Sequence, residues 1–275
     1  NYLIRKVIIS TQQVTTFAGS STSGSTNGVG TNSRFNYPYG IDISSDNSYC
    51  LIADYGNNQI RKIAISTQQV MSFVGSTASG TTNGVGTNAL LKGSYDVKLS
   101  FDNSFALVTD TDNHQIRQII ISTQQVTLLA GSTSASAGSS NGVGKNAQFY
   151  YPAAIVMPSD GSYCLVADYQ NHQVRQIIIS TKQVTVLAGS TSGNVNSIGT
   201  NAKFNIVASI DISPDGSFAL VADQNNNQIR QIIISTQQVT VFAGQTTLIA
   251  GSNNGIGTNA IFSGPRGVDI SPDGS

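Results

Sequence analysis

The decapeptide Asp110-Thr111-Asp112-Asn113-His114-Gln115-Ile116-Arg117-Gln118-Ile119 is one copy of a pattern that runs through the whole chain. Its centre, Ile-Arg or Val-Arg, recurs at Arg5, Arg61, Arg117, Arg175 and Arg230, at intervals of 56, 56, 58 and 55 residues. Self-similarity at one period means that each repeat is a structural unit stacked on its neighbours.

Other blocks keep the same period. Ser-Thr-Gln/Lys-Gln-Val starts at Ser10, Ser66, Ser122, Ser180 and Ser235. An Asn-x-x-Gly-x-Asn loop follows, with Gly30, Gly86, Gly144, Gly199 and Gly257. Turns then fall at Asp46, Asp102, Asp160, Asp215 and Asp273, and short strands close on Asp54, Asp110, Asp168 and Asp223. Each period holds four short apolar runs bounded by turn residues, which predicts antiparallel strands a (39–44), b (49–54), c (59–65) and d (69–74) in the first full copy. Turns such as Ser213-Pro214-Asp215-Gly216-Ser217 suit a type I hairpin with a bulge. No helical periodicity competes. Four strands per repeat predict an all-β propeller of four-stranded antiparallel blades.

These blocks also carry a family resemblance. Asp110 to Ile119, the Gly-x-Gly-x-Asn-Ala-x-Phe loop (142–149) and the Ile-Asp-Ile-Ser strand (41–44, 210–213) closely resemble the long-repeat form of NHL-repeat β-propellers. The resemblance spans nearly the whole chain and implies one propeller over residues 1–275, as a fragment of a longer chain. Four complete blades, a c–d half and a final a strand are expected here, with six blades in the full chain and five as the alternative. The scaffold hosts lyases, RNA binders and interaction modules alike, so fold does not give function.

Composition narrows the function. Fourteen basic and fourteen acidic residues balance, and charged residues make up only 10% of the chain. No basic face with interleaved aromatics is available for RNA; the long loops carry only Arg34, Lys92, Lys145 and Lys203. No apolar run approaches a membrane span, so the expected partners include neither nucleic acid nor membrane. Cys50 and Cys164 share one slot of the repeat with Ala106 and Ala219, which marks a small core position and not a disulfide.

Asp54/Arg61, Asp110/Arg117, Asp168/Arg175 and Asp223/Arg230 stand seven residues apart across the b–c hairpin. That spacing allows a diagonal or water-bridged ion pair. Recurrence in every complete copy is the behaviour of a scaffold device, since a catalytic pair normally occurs once.

His114 and His172 are the only histidines and occupy one slot of the b–c loop, where other copies carry Asn58 and Asn226. Two histidines cannot build a zinc site without further ligands, so a hydrogen-bonding turn residue is the better account. Asp110-Thr111-Asp112-Asn113 lacks the Gly and bidentate Glu of a calcium loop. Along the axis, Asp42, Asp211 and Asp269 could line a channel, but Lys98 and Val156 interrupt them. No Gly-x-Ser-x-Gly elbow or Ser-His-Asp grouping is present. No catalytic residue, metal ligand or cofactor is assigned, and the chain is expected not to be an enzyme.

Antiparallel order places the b–c loops and the long d–a loops on one face. That face is neutral and rich in Ser, Thr, Gly and Asn. Tyr55, Asn57, His114, Tyr169 and His172 are its candidate ligand-contacting residues, with Asn171 beside them. The outer d strands carry no charge to guard their edges. Ser/Thr-rich loops such as Ser20–Thr26 resemble O-glycosylated segments, and no Asn-x-Ser/Thr sequon occurs. The expectation is a structural or adhesion module at the cell surface or outside it, engaging protein partners or copies of itself. A carbohydrate or small-ligand binder is the alternative, and a lyase- or lactonase-type enzyme with an axial metal the second.

Overall fold

A computed structural model describes residues 2–271 and 273–274. The chain gathers into two compact units, Asn1–Leu128 and Leu129–Ser275. Each is built on two four-stranded antiparallel blades whose strands pair in sequence order.

In the first unit the blades run Pro38–Ile43, Tyr49–Asp54, Gln59–Ala64, Gln69–Gly75 and then Ser94–Leu99, Phe105–Asp110, Gln115–Ile120, Gln125–Ala130. A two-stranded hairpin, Leu3–Ile8 with Gln13–Gly19, precedes them. The second unit contains Pro152–Val156, Tyr163–Asp168, Gln173–Ile178, Gln183–Gly189 and Val207–Ile212, Phe218–Asp223, Gln228–Ile233, Gln238–Ala243. Strands a to d thus fall within a residue of the positions read from the repeat.

The turns explain why the strands reverse where they do. At the a–b turn Asp46 Oδ1 accepts from Ser48 N at 3.0 Å and from Ser44 Oγ at 2.6 Å, and Asn47 takes φ 56°. Asn tolerates that left-handed conformation better than most residues. The c–d turns put Gln12, Gln68, Gln124, Lys182 and Gln237 in the same region.

Burial is greatest on strand b, where every residue of Tyr49–Asp54 is buried. In the first unit Leu51, Ala53 and Val74 pack with Val97, Leu99 and Val108 of the next blade. In the second, Leu165, Ala167 and Val174 pack with Val207, Val221 and Ile232. Each such aliphatic side chain contributes roughly 1.5–3 kcal/mol of burial. Cys50 and Cys164 lie in this core as free thiols, alongside the fully buried Ala106 and Ala219.

Two expectations change. The d edges are not bare: Gly28–Val29 pairs with Gln69 and Val70, Gly84–Val85 with Gln125 and Val126, and Gly142–Val143 with Gln183 and Val184. The long loop that leads from one strand d into the next blade therefore caps that next blade's outer edge with a fifth, two-residue strand, which protects it without charge. Among the described residues no such cap covers the outer strand of the first hairpin, where Val14 is 53% exposed. The second change concerns Val268–Ser271, expected as a strand, which has no strand assignment because no described strand pairs with it. It is held instead by side chains, with Ile270 N donating to Asp211 Oδ2 at 2.7 Å and Val268 N to Ser209 Oγ at 3.4 Å.

Candidate ligand-binding face

The repeated Asp and Arg form a direct ion pair in each complete blade. Arg Nη1 meets Asp Oδ2 at 3.0 Å in Asp54/Arg61 and Asp110/Arg117, 2.8 Å in Asp168/Arg175 and 2.9 Å in Asp223/Arg230, with all eight side chains fully buried. The hairpin registers Val108 opposite Arg117 and Asp110 opposite Gln115, so the pair is diagonal and direct, one of the two arrangements the spacing allows.

The same Arg fastens the long loop. Arg117 Nη2 donates to Asn83 Oδ1 at 2.7 Å and Nη1 to the Leu90 carbonyl at 3.2 Å. Asp110 Oδ1 accepts from Lys92 N at 2.7 Å, and Asn113 Nδ2 bridges Asp110 Oδ2 at 2.9 Å and the Gly80 carbonyl at 2.7 Å. Equivalent bonds tie Arg61 to Asn27, Arg175 to Asn141 and Arg230 to Asn196. In three blades a fully buried Phe lies under the guanidinium, at 5.2–5.3 Å for Phe35, Phe149 and Phe204. Leu91 occupies that slot in the Arg117 blade, so its guanidinium is held by the ion pair and hydrogen bonds without that ring beneath it. Burial pushes the carboxyls of Asp110, Asp168 and Asp223 up to about 6, with the arginine and the Asn amide pulling the other way.

This staple removes Asn57 from the ligand-facing set. Its amide is spent on Asp54 Oδ2 at 2.8 Å and the Gly24 carbonyl at 2.7 Å, and the residue is only 7% exposed. Asn171 makes the same two bonds, to Asp168 and the Gly138 carbonyl.

His172 has a structural position too. It sits in the left-handed conformation at the end of the Tyr169–Asn171 turn, and its Nδ1 accepts from Ile206 N at 3.0 Å. Asn58 Oδ1 takes the same bond from Gly93 N at 2.9 Å, and Asn227 Oδ1 from Gly264 N at 2.9 Å. The fourth member of the slot is therefore Asn227; Asn226, one residue earlier, belongs to the staple. His114 caps the preceding copy of the turn at φ 56°. Burial lowers the basicity of both imidazoles.

The axial acids act as brackets between successive inner strands. Asp42 Oδ2 accepts from Leu99 N at 2.7 Å and Oδ1 from Lys98 Nζ at 3.3 Å. Asp211, holding Ile270 N, is pushed up to about 6 by burial, with Asp269 adding to the rise. Among the described residues no group of three or more His, Cys, Asp or Glu is placed to hold a metal ion.

Tyrosine is where the copies depart from one another. Tyr39 and Tyr95 occupy one slot of strand a that is Ala153 and Ala208 in the second unit, and their rings stack at 4.4 Å and 19°. Tyr55 meets the edge of Tyr39 at 5.3 Å, and its hydroxyl donates to Asp112 Oδ2 at 3.2 Å. Tyr37 is 54% and Tyr39 47% exposed. Tyr2 lies in the slot of Asn58 and His172 and meets Tyr37 edge to face at 5.3 Å, so an aromatic contact stands where Asn58, His172 and Asn227 each accept a hydrogen bond. Tyr37 also holds φ 53°, the left-handed region that Gly93 and Gly264 occupy in the equivalent position. In the second unit Tyr151 repeats that conformation and stacks on Tyr150 at 5.4 Å, while Tyr169 opens the b–c turn and its carbonyl accepts from His172 N at 3.4 Å.

Of the sequence candidates, Tyr55 thus joins an aromatic cluster, while Asn57 and His172 are structural. Tyr2, Tyr37, Tyr39 and Tyr95 were not singled out by the sequence reading. The signal is a departure from the repeat: Tyr39 and Tyr95 stand where sister copies carry Ala153 and Ala208, and Tyr37 where two of them carry Gly93 and Gly264.

Capped four-stranded blades repeated about a common plan define a β-propeller of the NHL-repeat type. The chain belongs to the lactonase family of seven-bladed β-propellers, whose family model matches residues 2–275. That family has seven blades where the repeat suggested six; the described residues hold four complete ones. NHL repeat-containing protein 2 of Bos taurus is 34% identical over 107 residues, covering 38% of this chain and 15% of that protein. This chain therefore corresponds to only a small part of that relative. Among solved structures, an auxiliary nutrient binding protein of Bacteroides thetaiotaomicron superposes with TM-score 0.62 at 16% identity, over 85% of this chain and 51% of that one. A chain of a nidogen/laminin complex gives TM-score 0.59 at 10% identity, over 85% and 70%.

Proposed function

We propose that this chain is a non-catalytic binding module that engages its partner through the face formed by the b–c and d–a loops. The observation that carries this reading is the cluster of Tyr37, Tyr39, Tyr55 and Tyr95, two of them about half exposed, on a face where the repeated Asp, Arg and Asn of each blade are bonded into the scaffold. Exposed tyrosines offer large, rigid, amphipathic contact area at low entropic cost, which is why binding surfaces favour them. The setting is extracellular or at the cell surface, in keeping with neutral Ser/Thr-rich loops and a low charge content. No helix among the described residues is long and apolar enough to cross a membrane. Structural likeness to a nutrient binding protein and to a nidogen/laminin chain accords with a binding role.

The family name raises a lactone-hydrolysing alternative. Against it, both Asp42 carboxylate oxygens are engaged by Lys98 and Leu99, and Asp211 holds the backbone of Ile270. Incubation with γ- and δ-lactones, with and without added calcium, tests the proposal. Hydrolysis is expected to stay at the buffer rate. Calcium-dependent turnover that disappears in Asp211→Ala would overturn it.

A further inference from the structure

The repeat offers a means of searching the molecule for function. Residues that recur in every blade are accounted for by staples, brackets and turns. Residues that break the plan are not, and the largest such break is in the first unit, between the leading hairpin and the first complete blade. There Tyr2, Ser21, Tyr37, Pro38 and Tyr39 line an open cleft of about 470 Å³. Small-ligand sites span roughly 300–1,000 Å³, so the cleft has room for a mono- or disaccharide.

Three properties of this cleft restrict its occupant. The lining contains no charged side chain, so a charged ligand would lose its hydration without gaining a partner. Three phenol rings and one hydroxymethyl group make it amphipathic, with flat apolar faces and hydrogen-bonding edges. The rings are also fixed in advance. Tyr39 is stacked on Tyr95 and braced by the edge of Tyr55, and Tyr37 is set against Tyr2. Fixing side chains before binding removes part of the ordering cost of association.

Tyr37 adds an independent observation. A non-glycine residue at φ 53° carries a strain of order 1–2 kcal/mol; Gly93 and Gly264 relieve it in two sister copies, while Tyr151 at φ 53° and Ile206 at φ 70° share it in the other two. The scaffold does not need the ring, because glycine serves the same turn elsewhere in the chain.

Resting on the binding-module reading above, we infer that the cleft of Tyr2, Tyr37 and Tyr39 binds a neutral pyranose ring of a saccharide. The sugar's apolar C–H face lies on a tyrosine ring, and its equatorial hydroxyls meet Ser21 and the phenol edges. A saccharide has the same division into apolar faces and hydroxyl-bearing edges as the lining. Phosphorylated and nucleotide ligands fit less well, since no cation lines the cleft to meet a phosphate.

The test uses the full 275-residue chain on an array of neutral oligosaccharides, with the best binders measured by titration calorimetry. Tyr37→Gly and Tyr39→Ala supply the residues that other blades carry in these slots, so both are expected to fold. Each should weaken binding at least tenfold, a loss of about 1.4 kcal/mol, with the melting temperature held. Lys182→Gln, at a c–d turn of the second unit where sister copies carry Gln68 and Gln124, should leave affinity unchanged. Retention of binding in both cleft variants, or no binding of any neutral saccharide, overturns the inference. If tetramethylammonium binds instead and is lost in Tyr37→Gly, the saccharide assignment falls while the binding-module reading stands. Calcium-dependent lactone hydrolysis would remove that reading separately.

Discussion

Arg117 Nη1 donates to Asp110 Oδ2 across 3.0 Å with both side chains fully buried, and Nη2 of the same guanidinium reaches Asn83 Oδ1 at 2.7 Å. One arginine thus joins the b–c hairpin to the long loop that caps the blade edge. Because Leu91 stands where other blades stack a Phe, this copy of the staple has no aromatic support. Arg117→Ala leaves the Asp110 carboxylate buried without its charge partner. A loss of about 3–5 kcal/mol is expected, as for other broken buried pairs. Denaturant melts of wild type and variant measure it.

Asn113 should behave as part of the same device. Its amide satisfies both Asp110 Oδ2 and the Gly80 carbonyl, so Asn113→Ala should cost about 1–3 kcal/mol by leaving buried acceptors unmet. In a double-mutant cycle with Arg117→Ala the two losses should not add, because both act on one carboxylate.

The thiols should be inert while the chain is folded. Burial pushes Cys50 up to about 11, and Cys164, wholly enclosed, is raised further. Since only the thiolate reacts, Ellman's reagent at pH 8 should label neither cysteine in buffer and both in denaturant. Rapid labelling of the native chain would place these residues outside the core.

Stability should pass through a maximum in mildly acidic solution. Asp110, Asp168, Asp211 and Asp223 are raised to about 6, so the folded state binds protons more tightly than the unfolded one. Their contribution is greatest below the unfolded value near 4 and is lost as pH rises through about 6. The turn residues Asp46, Asp102 and Asp215 act oppositely. Hydrogen bonds from Ser44, Ser100 and Ser213 hold them at about 2, so their contribution is present above pH 4 and lost as pH falls toward 2. Melting temperature recorded from pH 2 to 8 should rise from pH 7 to about 5 and fall below about 4. A monotonic profile would contradict these assignments.

Much of the fold was legible because its determinants are local and repeated. Alternating apolar runs, Asp-Gly turns and the seven-residue Asp–Arg spacing each fix a strand, a reversal or a diagonal contact, and every copy restates them. The edge cap was not legible. Gly28–Val29 is too short to register as a strand, and its pairing with Gln69 and Val70 joins residues about forty positions apart. The site was read in part. Tyr55, singled out from the sequence, lies in the aromatic cluster, whereas the polar groups of Asn57 and His172 bond to partners distant in sequence, the Gly24 carbonyl and Ile206 N. Tyr37 and Tyr39 were passed over since each looks ordinary until set beside Gly93 and Ala153.

The central claim is a division of labour, in which repeated polar residues hold the blades and copy-specific tyrosines serve the surface. Calorimetric melting of Arg117→Ala beside Tyr37→Gly tests it most directly. The account predicts a large drop for the first, and for the second an unchanged or slightly raised melting temperature, because glycine relieves the φ of 53°. A collapse of Tyr37→Gly with Arg117→Ala unaffected would contradict it.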